Sequence, residues 1–303
     1  STDPNAFQVL SETVYAQKDN TGNWVQCANI SGSTKIGTFS IDASTGVYTF
    51  TMDKAAEALA QGDKLMLQTT VTVTDGANAT ASAPVQISVT GANTAPVITQ
   101  FTQTTLTDNG TSSQSFDDGK VSASDADGDK LTFYIKAGDK YVTTLHDTNG
   151  TLTIDPASGN YTFAMDQSYA SKLLALGAGA SASGGNFTIV TLDKYGAAEE
   201  KVLSITLQGV NNAPTFTAPN LAIMEGASPL TGSLGAADVD TNDAGRLTYS
   251  LAYGGAPGVL ASGTESAVVD GHYGQLTLDA SGNYKYTVTN HALAQAQNDK
   301  DTF

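Results

Sequence analysis

A fourteen-residue phrase near the amino terminus decides how this chain folds: Gly-Thr-Phe-Ser-Ile-Asp-Ala-Ser-Thr-Gly-Val-Tyr-Thr-Phe, residues 37–50. Apolar and polar residues alternate at both ends of the phrase, as they do in half-buried strands. The Asp-Ala-Ser-Thr-Gly between them is rich in turn-forming residues. The phrase therefore predicts two antiparallel strands joined by a turn.

The same phrase returns twice further along the chain. It reads GTLTIDPASGNYTF at residues 150–163 and GQLTLDASGNYKY at residues 274–286, so its first glycine recurs after 113 and then 124 residues. A second phrase, ISVTGANTAP at residues 87–96, returns 118 residues later as ITLQGVNNAP. These periods exceed the roughly 20–50 residues of solenoid repeats, so they predict a string of similar domains.

The Asn-x-Ala-Pro segments mark the expected boundaries between these domains. Pro96 and Pro214 hold the preceding residue extended, which ends a strand and begins a linker. We expect repeat 1 at residues 1–96, repeat 2 at 97–214 and repeat 3 at 215–303. Aligned on the shared glycine, repeat 1 is expected to lack its first strand and repeat 3 its last strands. The chain is therefore expected to be a segment of a longer protein.

Strict alternation of apolar residues recurs within the repeats and predicts short antiparallel strands. The apolar positions are Leu131, Phe133, Ile135, Leu152, Ile154, Tyr161, Phe163, Leu203, Ile205 and Leu207 in repeat 2, and Val85, Ile87 and Val89 in repeat 1. Residues 53–62, 166–177 and 290–297 break the pattern and predict a short helical turn, with Asp53 or Asp166 as N-cap and glycine as C-cap. The predicted fold class is all-β: tandem antiparallel Greek-key β-sandwiches, immunoglobulin-like or cadherin-like, with one helical turn each.

Charge and composition exclude several functions. The 303 residues include 30 acidic and 14 basic side chains, a net charge of −16, and the sole arginine is Arg246. Such a chain is poorly suited to bind nucleic acid or anionic membranes, since both need basic patches. Apolar runs stay well below the roughly 20 residues that span a bilayer, so no membrane insertion is expected. Cys27 is the single cysteine and cannot form an intrachain disulfide.

Carboxylates concentrate just beyond the predicted boundaries. Repeat 2 carries Asp125, Asp127 and Asp129 at alternate positions, and repeat 3 carries Asp-Val-Asp-Thr-Asn-Asp at residues 238–243. Several oxygen ligands on one short segment suit Ca²⁺, which takes 6–8 oxygens. The EF-hand pattern does not fit, because Lys130 stands where that loop needs glycine. A solvated turn that is rich in aspartate remains the alternative.

These residues resemble a known family. The segment 238–251, DVDTNDAGRLTYSL, is similar to the cadherin segment in which a DxD motif leads into a Leu-x-Tyr-Ser strand, and residues 209–216 resemble a cadherin interdomain linker. Met224-Glu225-Gly226 resembles the Pro-Glu-Asn of cadherins. The hairpin phrase and the helical turn are closer to the VCBS and cadherin-like repeats of large secreted bacterial adhesins of the RTX type. The resemblance covers essentially the whole chain.

The resemblance implies Ca²⁺ at the junctions between repeats. It places Asn93, Asp125 and Asp127 at the first junction, and Asn211, Asp238 and Asp240 at the second. The full set of predicted ligands is Asp53, Asn93, Asp108, Asp125, Asp127, Asp129, Asp166, Asn211, Glu225, Asp238, Asp240 and Asp243. The linkers depart from the family by carrying Asn where cadherins carry Asp, which predicts fewer or weaker sites.

We therefore expect a calcium-stabilised extender region of a large extracellular bacterial adhesin, acting in cell adhesion or biofilm formation without catalysis. Its expected partners are calcium, the neighbouring repeats, and host or biofilm ligands bound through other domains. Two alternatives remain open: a carbohydrate- or protein-binding module, and accessory domains of a secreted enzyme. His146, His272 and His291 show neither metal-site nor triad spacing.

Overall fold

The structure, a computed structural model, describes residues 6–8, 11–111, 114–217, 219–223, 229–243, 245–253, 256–258, 266–289 and 301. Strands dominate this part of the chain, and nearly all of them pair antiparallel. The predicted fold class, tandem antiparallel β-sandwiches, is confirmed.

Repeat 1 packs one sheet, in the strand order β1-β6-β7, against another in the order β3-β2-β4-β5. The strands are β1 (Ala6–Gln8), β2 (Ser11–Lys18), β3 (Trp24–Cys27), β4 (Thr34–Ile41), β5 (Tyr48–Met52), β6 (Lys64–Thr74) and β7 (Thr80–Thr90). Val14 and Ile36 from one sheet meet Leu65 and Leu67 from the other in the buried core. Trp24 is partly buried and packs against this core.

Repeat 2 has two five-stranded sheets, in the orders β13-β14-β15-β10-β8 and β12-β11-β16-β17-β9. Its elements are β8 (Val97–Phe101), β9 (Thr105–Thr107), β10 (Ser115–Ser124), β11 (Thr132–Ala137), β12 (Lys140–Val142), β13 (Thr144–His146), β14 (Gly150–Ile154), β15 (Asn160–Met165), α1 (Gln167–Leu174), β16 (Ser181–Leu192) and β17 (Ala198–Gln208). The core between the sheets holds the predicted alternating apolar residues, among them Phe163 and Leu203 at 0% exposure. Only β9 and β17, among the described strands, pair parallel.

Repeat 3 has a four-stranded sheet in the order β18-β23-β22-β21 and a two-stranded sheet of β19 and β20. The strands are β18 (Leu230–Ser233), β19 (Leu251–Tyr253), β20 (Ala256–Gly258), β21 (Ser266–Asp270), β22 (Gly274–Asp279) and β23 (Asn283–Val288). Its core cluster includes Leu251, Leu278 and Tyr284.

The repeated hairpin phrase owes its first glycine to close packing. A Cβ on Gly150 would lie 2.4 Å from the carbonyl oxygen of Ala164 and 2.9 Å from the ring of Phe163 on the paired strand, and Gly37 and Gly274 meet the same obstacles. The aspartate of the phrase heads the turn, since Asp155 Oδ1 accepts hydrogen bonds from the backbone N–H of Ala157 and Ser158. Close packing therefore requires the first glycine in all three hairpins, whereas the turn of the third is one residue shorter and its Asp279 Oδ1 accepts from Ser281 and Asn283.

The helical turns form where predicted in repeats 1 and 2. Lys54–Ala58 is a 3₁₀ helix whose N-cap Asp53 accepts from Ala55 N–H, and α1 follows Asp166. The predicted glycine C-caps are wrong: the caps are Leu59 and Ala175, and the chain turns away before reaching glycine. The third turn, at residues 290–297, lies outside the described residues. No helix in the described part of the chain combines the length and apolar character needed to cross a membrane.

Candidate metal centre

The loop after β10 folds three aspartates towards one another. Asp125 Oδ1 accepts the backbone N–H of Asp127 at 2.9 Å and of Asp129 at 3.3 Å. The Asp125 carbonyl accepts the N–H of Gly128, whose φ of +76° suits glycine. Because the loop curls in this way, one carboxylate oxygen of each aspartate lies within 4.8 Å of the others.

The linker between repeats 1 and 2 is fastened to this loop and to a second one. The backbone N–H of Thr94 donates to Asp127 Oδ2 at 2.7 Å, and Asn93 Nδ2 donates to Asp193 Oδ2 at 2.6 Å. Asp193 follows β16, and its Oδ1 is held by the N–H groups of Tyr195 and Ala197 at 2.8 and 2.9 Å. Two loops of repeat 2 therefore form hydrogen bonds with the consecutive linker residues Asn93 and Thr94.

Each of the four central side chains keeps one oxygen free. The buried atoms Asn93 Oδ1, Asp125 Oδ2, Asp127 Oδ1 and Asp129 Oδ2 accept no hydrogen bond from any described residue. Buried polar atoms are normally paired, and an unpaired one costs free energy. We call these four atoms the free-oxygen set. Since each side chain is positioned through its other polar atom, the set is oriented and chemically unsatisfied.

The ionisable groups around the free-oxygen set have pKa values that are shifted in different directions. Burial, together with repulsion from Asp125 and Asp129, raises the pKa of Asp127, although the Thr94 N–H works in the other direction. Lys194 Nζ lies 2.7 Å from Asp129 Oδ1, and this hydrogen bond raises the pKa of Lys194. Burial disfavours the charged form of Asp193, but hydrogen bonds from Asn93, Tyr195 and Ala197 leave its pKa below the ordinary value.

The donor set fits a hard divalent cation. Three carboxylate oxygens and one amide oxygen are the atoms that Ca²⁺ prefers, and water or backbone carbonyls complete its usual 6–8 ligands. Two carboxylates about 5 Å apart repel by about 3 kcal/mol at an effective dielectric constant of ~20. A bound cation would remove that repulsion and would satisfy the free oxygens at the same time.

The second junction uses the same backbone clamp. The N–H of Asn212, the residue that aligns with Thr94, donates to Asp240 Oδ2 at 2.8 Å, as Thr94 does to Asp127. Asp240 N–H in turn donates to Asp238 Oδ1 at 2.8 Å, which repeats the contact between Asp127 and Asp125. The two linkers therefore dock on the following repeat in the same way.

The carboxylates of the second junction are satisfied by an amide. Asn212 Nδ2 lies 2.8 Å from Asp108 Oδ2, 3.2 Å from Asp240 Oδ1 and 3.1 Å from the carbonyl oxygen of Leu174. Asp108 Oδ1 also accepts from Gly110 N–H and Gln114 Nε2. Asp240 is 0% exposed and Asp108 is 5% exposed, so the nitrogen stands in a pocket of oxygens. Thr241 N–H adds a contact to the carbonyl oxygen of Ala175.

The remaining predicted ligands that the structure describes make other contacts. Asn211 is exposed and donates to the carbonyl of Asn212, so the residue at the second centre is Asn212 instead. Asp53 pairs with Lys35 at 2.9 Å, and Asp166 pairs with the exposed His146 at 2.9 Å, each within its own repeat. The backbone N–H of Asp243 bonds to the Asp240 carbonyl. Glu225 lies outside the described residues.

The residues of these centres that were not predicted include Asp193, Lys194 and Asn212. Asp193 belongs to a repeated strand ending, Val-Thr-Val-Thr-Asp in repeat 1 and Ile-Val-Thr-Leu-Asp in repeat 2, which is a signal that the sequence does contain. Asn212 is the second of two adjacent asparagines, and only the folded linker distinguishes it from Asn211. Lys194 occupies a position where repeat 1 has Gly76, so no repeated pattern marks it.

Comparison with known proteins adds fold neighbours and no sequence relatives. No family model and no curated protein matches the chain. Human CDH23 EC21-23 aligns with 95% of this chain and 79% of its own, at 14% identity and a TM-score of 0.41. The extracellular cadherin domains 3-6 of protocadherin gamma B2 align with 86% of this chain and 59% of their own, at 18% identity and a TM-score of 0.38.

The protocadherin gammaB4 extracellular domain aligns with 96% of this chain and 46% of its own, at 17% identity and a TM-score of 0.41. This chain therefore spans about half the length of the two protocadherin structures. At these identities and TM-scores the likeness supports no statement about what this chain does. The class of protein that the strand pairing defines is a tandem array of antiparallel β-sandwiches with polar, hydrogen-bonded junctions.

Proposed function

We propose that this chain is a calcium-stabilised spacer from a large extracellular bacterial adhesin of the cadherin-like, VCBS-bearing RTX type. It consists of repeats at residues 1–96, 97–214 and 215–303, and it serves cell adhesion or biofilm formation as a non-catalytic extender. The free-oxygen set at the first junction is the single observation that carries the proposal.

Calcium would act here by joining two repeats that already touch. Asn93 belongs to the linker, whereas Asp125, Asp127 and Asp129 belong to repeat 2, so one ion held by all four ties the linker to the following domain. Without the ion, the crowded carboxylates repel one another and loosen the Thr94–Asp127 clamp. With the ion bound, successive sandwiches hold a fixed angle, and the rigid array positions other domains of the protein at a distance. The partners in this proposal are calcium and the neighbouring repeats, and host or biofilm ligands bind through other domains.

The folded state would gain stability from calcium by mass action. A ligand that binds the native state alone stabilises it by about 2.7 kcal/mol at a concentration 100 times its Kd. Extracellular calcium modules commonly have Kd values of about 10⁻⁴–10⁻³ M. A spacer of this kind therefore stiffens outside the cell, where calcium is abundant, and loosens when a chelator removes the ion.

Small-angle X-ray scattering tests the proposal directly on the full chain. Profiles recorded in calcium and after chelation are compared, with magnesium as the ion control. The proposal predicts a maximum dimension that is longer and better defined in calcium than in chelator or magnesium. Identical profiles in all three conditions would remove the rigidification claim.

One observation favours a second candidate, a carbohydrate-binding module. The rings of Tyr134 and Tyr141 stack with centroids 6.2 Å apart, and Tyr141 is 45% exposed. Aromatic faces of this kind offer apolar area with a polar edge, which suits a sugar ring. Binding on a glycan array that is lost in Tyr141→Ala would support this candidate, and silence of the array would exclude it.

A further inference from the structure

A lysine side chain competes for one of the carboxylates in the first junction. Lys194 lies in the turn after β16, and its ammonium nitrogen is 2.7 Å from Asp129 Oδ1. The Asp129 side chain is 4% exposed, whereas that of Lys194 is 50% exposed. The carboxylate is therefore fixed in the junction, and the ammonium reaches it from the solvent side on a flexible stem.

The two oxygens of Asp129 face different partners. Oδ1 accepts from Lys194, and Oδ2 belongs to the free-oxygen set. A divalent ion bound through the free-oxygen set would lie within a few ångströms of the ammonium, and the two positive charges would repel each other. Either the ion binds weakly beside the lysine or the lysine leaves, and both cases lower the affinity for the ion.

The lysine also contacts a second group at this junction. Its Nζ lies 4.8 Å from the ring centroid of Tyr195, close enough for a cation–π contact outside the carboxylate cluster. The Tyr195 hydroxyl donates to the carbonyl of Gln61 in repeat 1 at 3.4 Å, so the ring stands at the same junction. The ammonium can thus give up Asp129 without leaving the neighbourhood.

We propose that Lys194 is a tethered competitor of calcium that sets the affinity of the first junction. The inference rests on the proposed calcium site and names the residue that tunes it. With Lys194 in place, the three aspartates carry a net charge of −2 together with the ammonium, and calcium loads at a higher concentration than the bare carboxylates require.

Calcium titration calorimetry on the full chain tests this with three variants. Lys194→Met keeps the stem and removes the charge, and we expect calcium to bind about fivefold more tightly, since the ion pair with Asp129 no longer competes with the ion. Lys194→Arg keeps the charge and should bind within about twofold of the unmodified chain. Lys136→Met is the matched control, because Lys136 forms an ion pair of 2.6 Å with Glu200 and none with the aspartates of the junction.

Thermal unfolding provides a second readout that a purely structural lysine would not reproduce. Lys194→Met should lower the melting temperature in chelator and increase the gain in melting temperature that calcium produces. If the unmodified chain binds calcium and Lys194→Met binds it equally or more weakly, the proposed role of Lys194 is wrong. Absence of calcium binding in the unmodified chain and in every variant would overturn the proposed calcium site itself.

Discussion

The two junctions share one backbone clamp and differ in the hydrogen bonds that the carboxylates behind it receive. At the first junction, the Thr94 N–H holds Asp127 and four buried oxygens have no hydrogen-bond partner among the described residues. At the second, the Asn212 N–H holds Asp240, and the Asn212 side-chain amide occupies the space between Asp240 and Asp108. The same docking geometry can therefore be completed by an ion or by an amide.

This difference separates the docking of a linker from its dependence on metal. The two N–H bonds of the Asn212 amide are shared among two carboxylates and a carbonyl, so these hydrogen bonds form without an ion. A set of free carboxylate oxygens leaves the junction conditional on a cation. A chain with one junction of each kind would be stiff at one joint and calcium-controlled at the other.

Removing one carboxylate from each junction should give the largest contrast. We expect Asp127→Asn to weaken calcium binding by about 100-fold or more, because it removes a charged ligand from the centre of the site. We expect Asp240→Asn to leave calcium affinity within about twofold while it destabilises repeat 3 docking by about 1–3 kcal/mol. Calorimetric titration and thermal unfolding of both variants measure the contrast, and equal losses of calcium affinity would refute it.

The next test replaces the amide of the second junction with a carboxylate, which should make this junction depend on calcium as the first does. Asn212→Asp places a third carboxylate beside Asp108 and Asp240, so we expect a loss of about 3 kcal/mol of stability in chelator. Calcium should restore most of that loss. Asn211→Asp is the matched control, since Asn211 is exposed and adjacent in sequence, and it should change neither quantity. A calcium-independent Asn212→Asp variant would show that carboxylates alone do not make such a junction metal-dependent.

Acidity should act on the first junction in a predictable direction. Because the pKa of Asp127 is raised in the folded chain, its contribution to calcium-free stability is fully present below its ordinary value of 3.8 and is lost as the pH rises through the raised value. Calcium affinity should change in the opposite sense, increasing as Asp127 ionises. Melting temperatures between pH 4 and 7 should fall by a few degrees in chelator. In Asp127→Asn this slope should flatten, and an unchanged slope would assign it to other groups.

The smallest effect is expected at a contact that joins repeats 1 and 2 without touching the carboxylates. Tyr195→Phe removes the hydroxyl that donates to the Gln61 carbonyl at 3.4 Å, a long and exposed hydrogen bond. We expect a loss of about 0.5 kcal/mol or less and no change in calcium affinity. Thermal unfolding provides the measurement, and a loss comparable to that of Asp127→Asn would mean that direct contacts between the repeats hold the junction.

The fold was readable from the sequence because one local rule recurs. Alternating apolar residues, the turn aspartate and the hairpin glycine all act between neighbours in the chain, and all three repeats carry them. Gly150 and Asp155 keep their roles in the structure for the reasons that packing and turn geometry supply. The glycine C-caps were wrong because the helical turns end at Leu59 and Ala175, before the chain reaches Gly62 and Gly177.

The candidate site was readable in part. The three aspartates of residues 125–129 share a local spacing, and the structure brings them together. Asp193 lies 100 residues from its partner Asn93, so folding alone makes them neighbours. Aligning the repeats pairs Asn93 with Asn211, which is exposed in the structure. Its neighbour Asn212 is the one that contacts the carboxylates. Asp53 was predicted as a calcium ligand, but in the structure it forms an ion pair with Lys35 of the same repeat.

Anomalous X-ray diffraction from crystals grown in calcium tests the central claim most directly. We expect a calcium peak about 2.3–2.6 Å from the free oxygens of Asp125, Asp127, Asp129 and Asn93, with Lys194 withdrawn from Asp129, and no such peak between Asp108 and Asp240. If those four oxygens bind only water or Lys194 at saturating calcium, the first junction is not a calcium site.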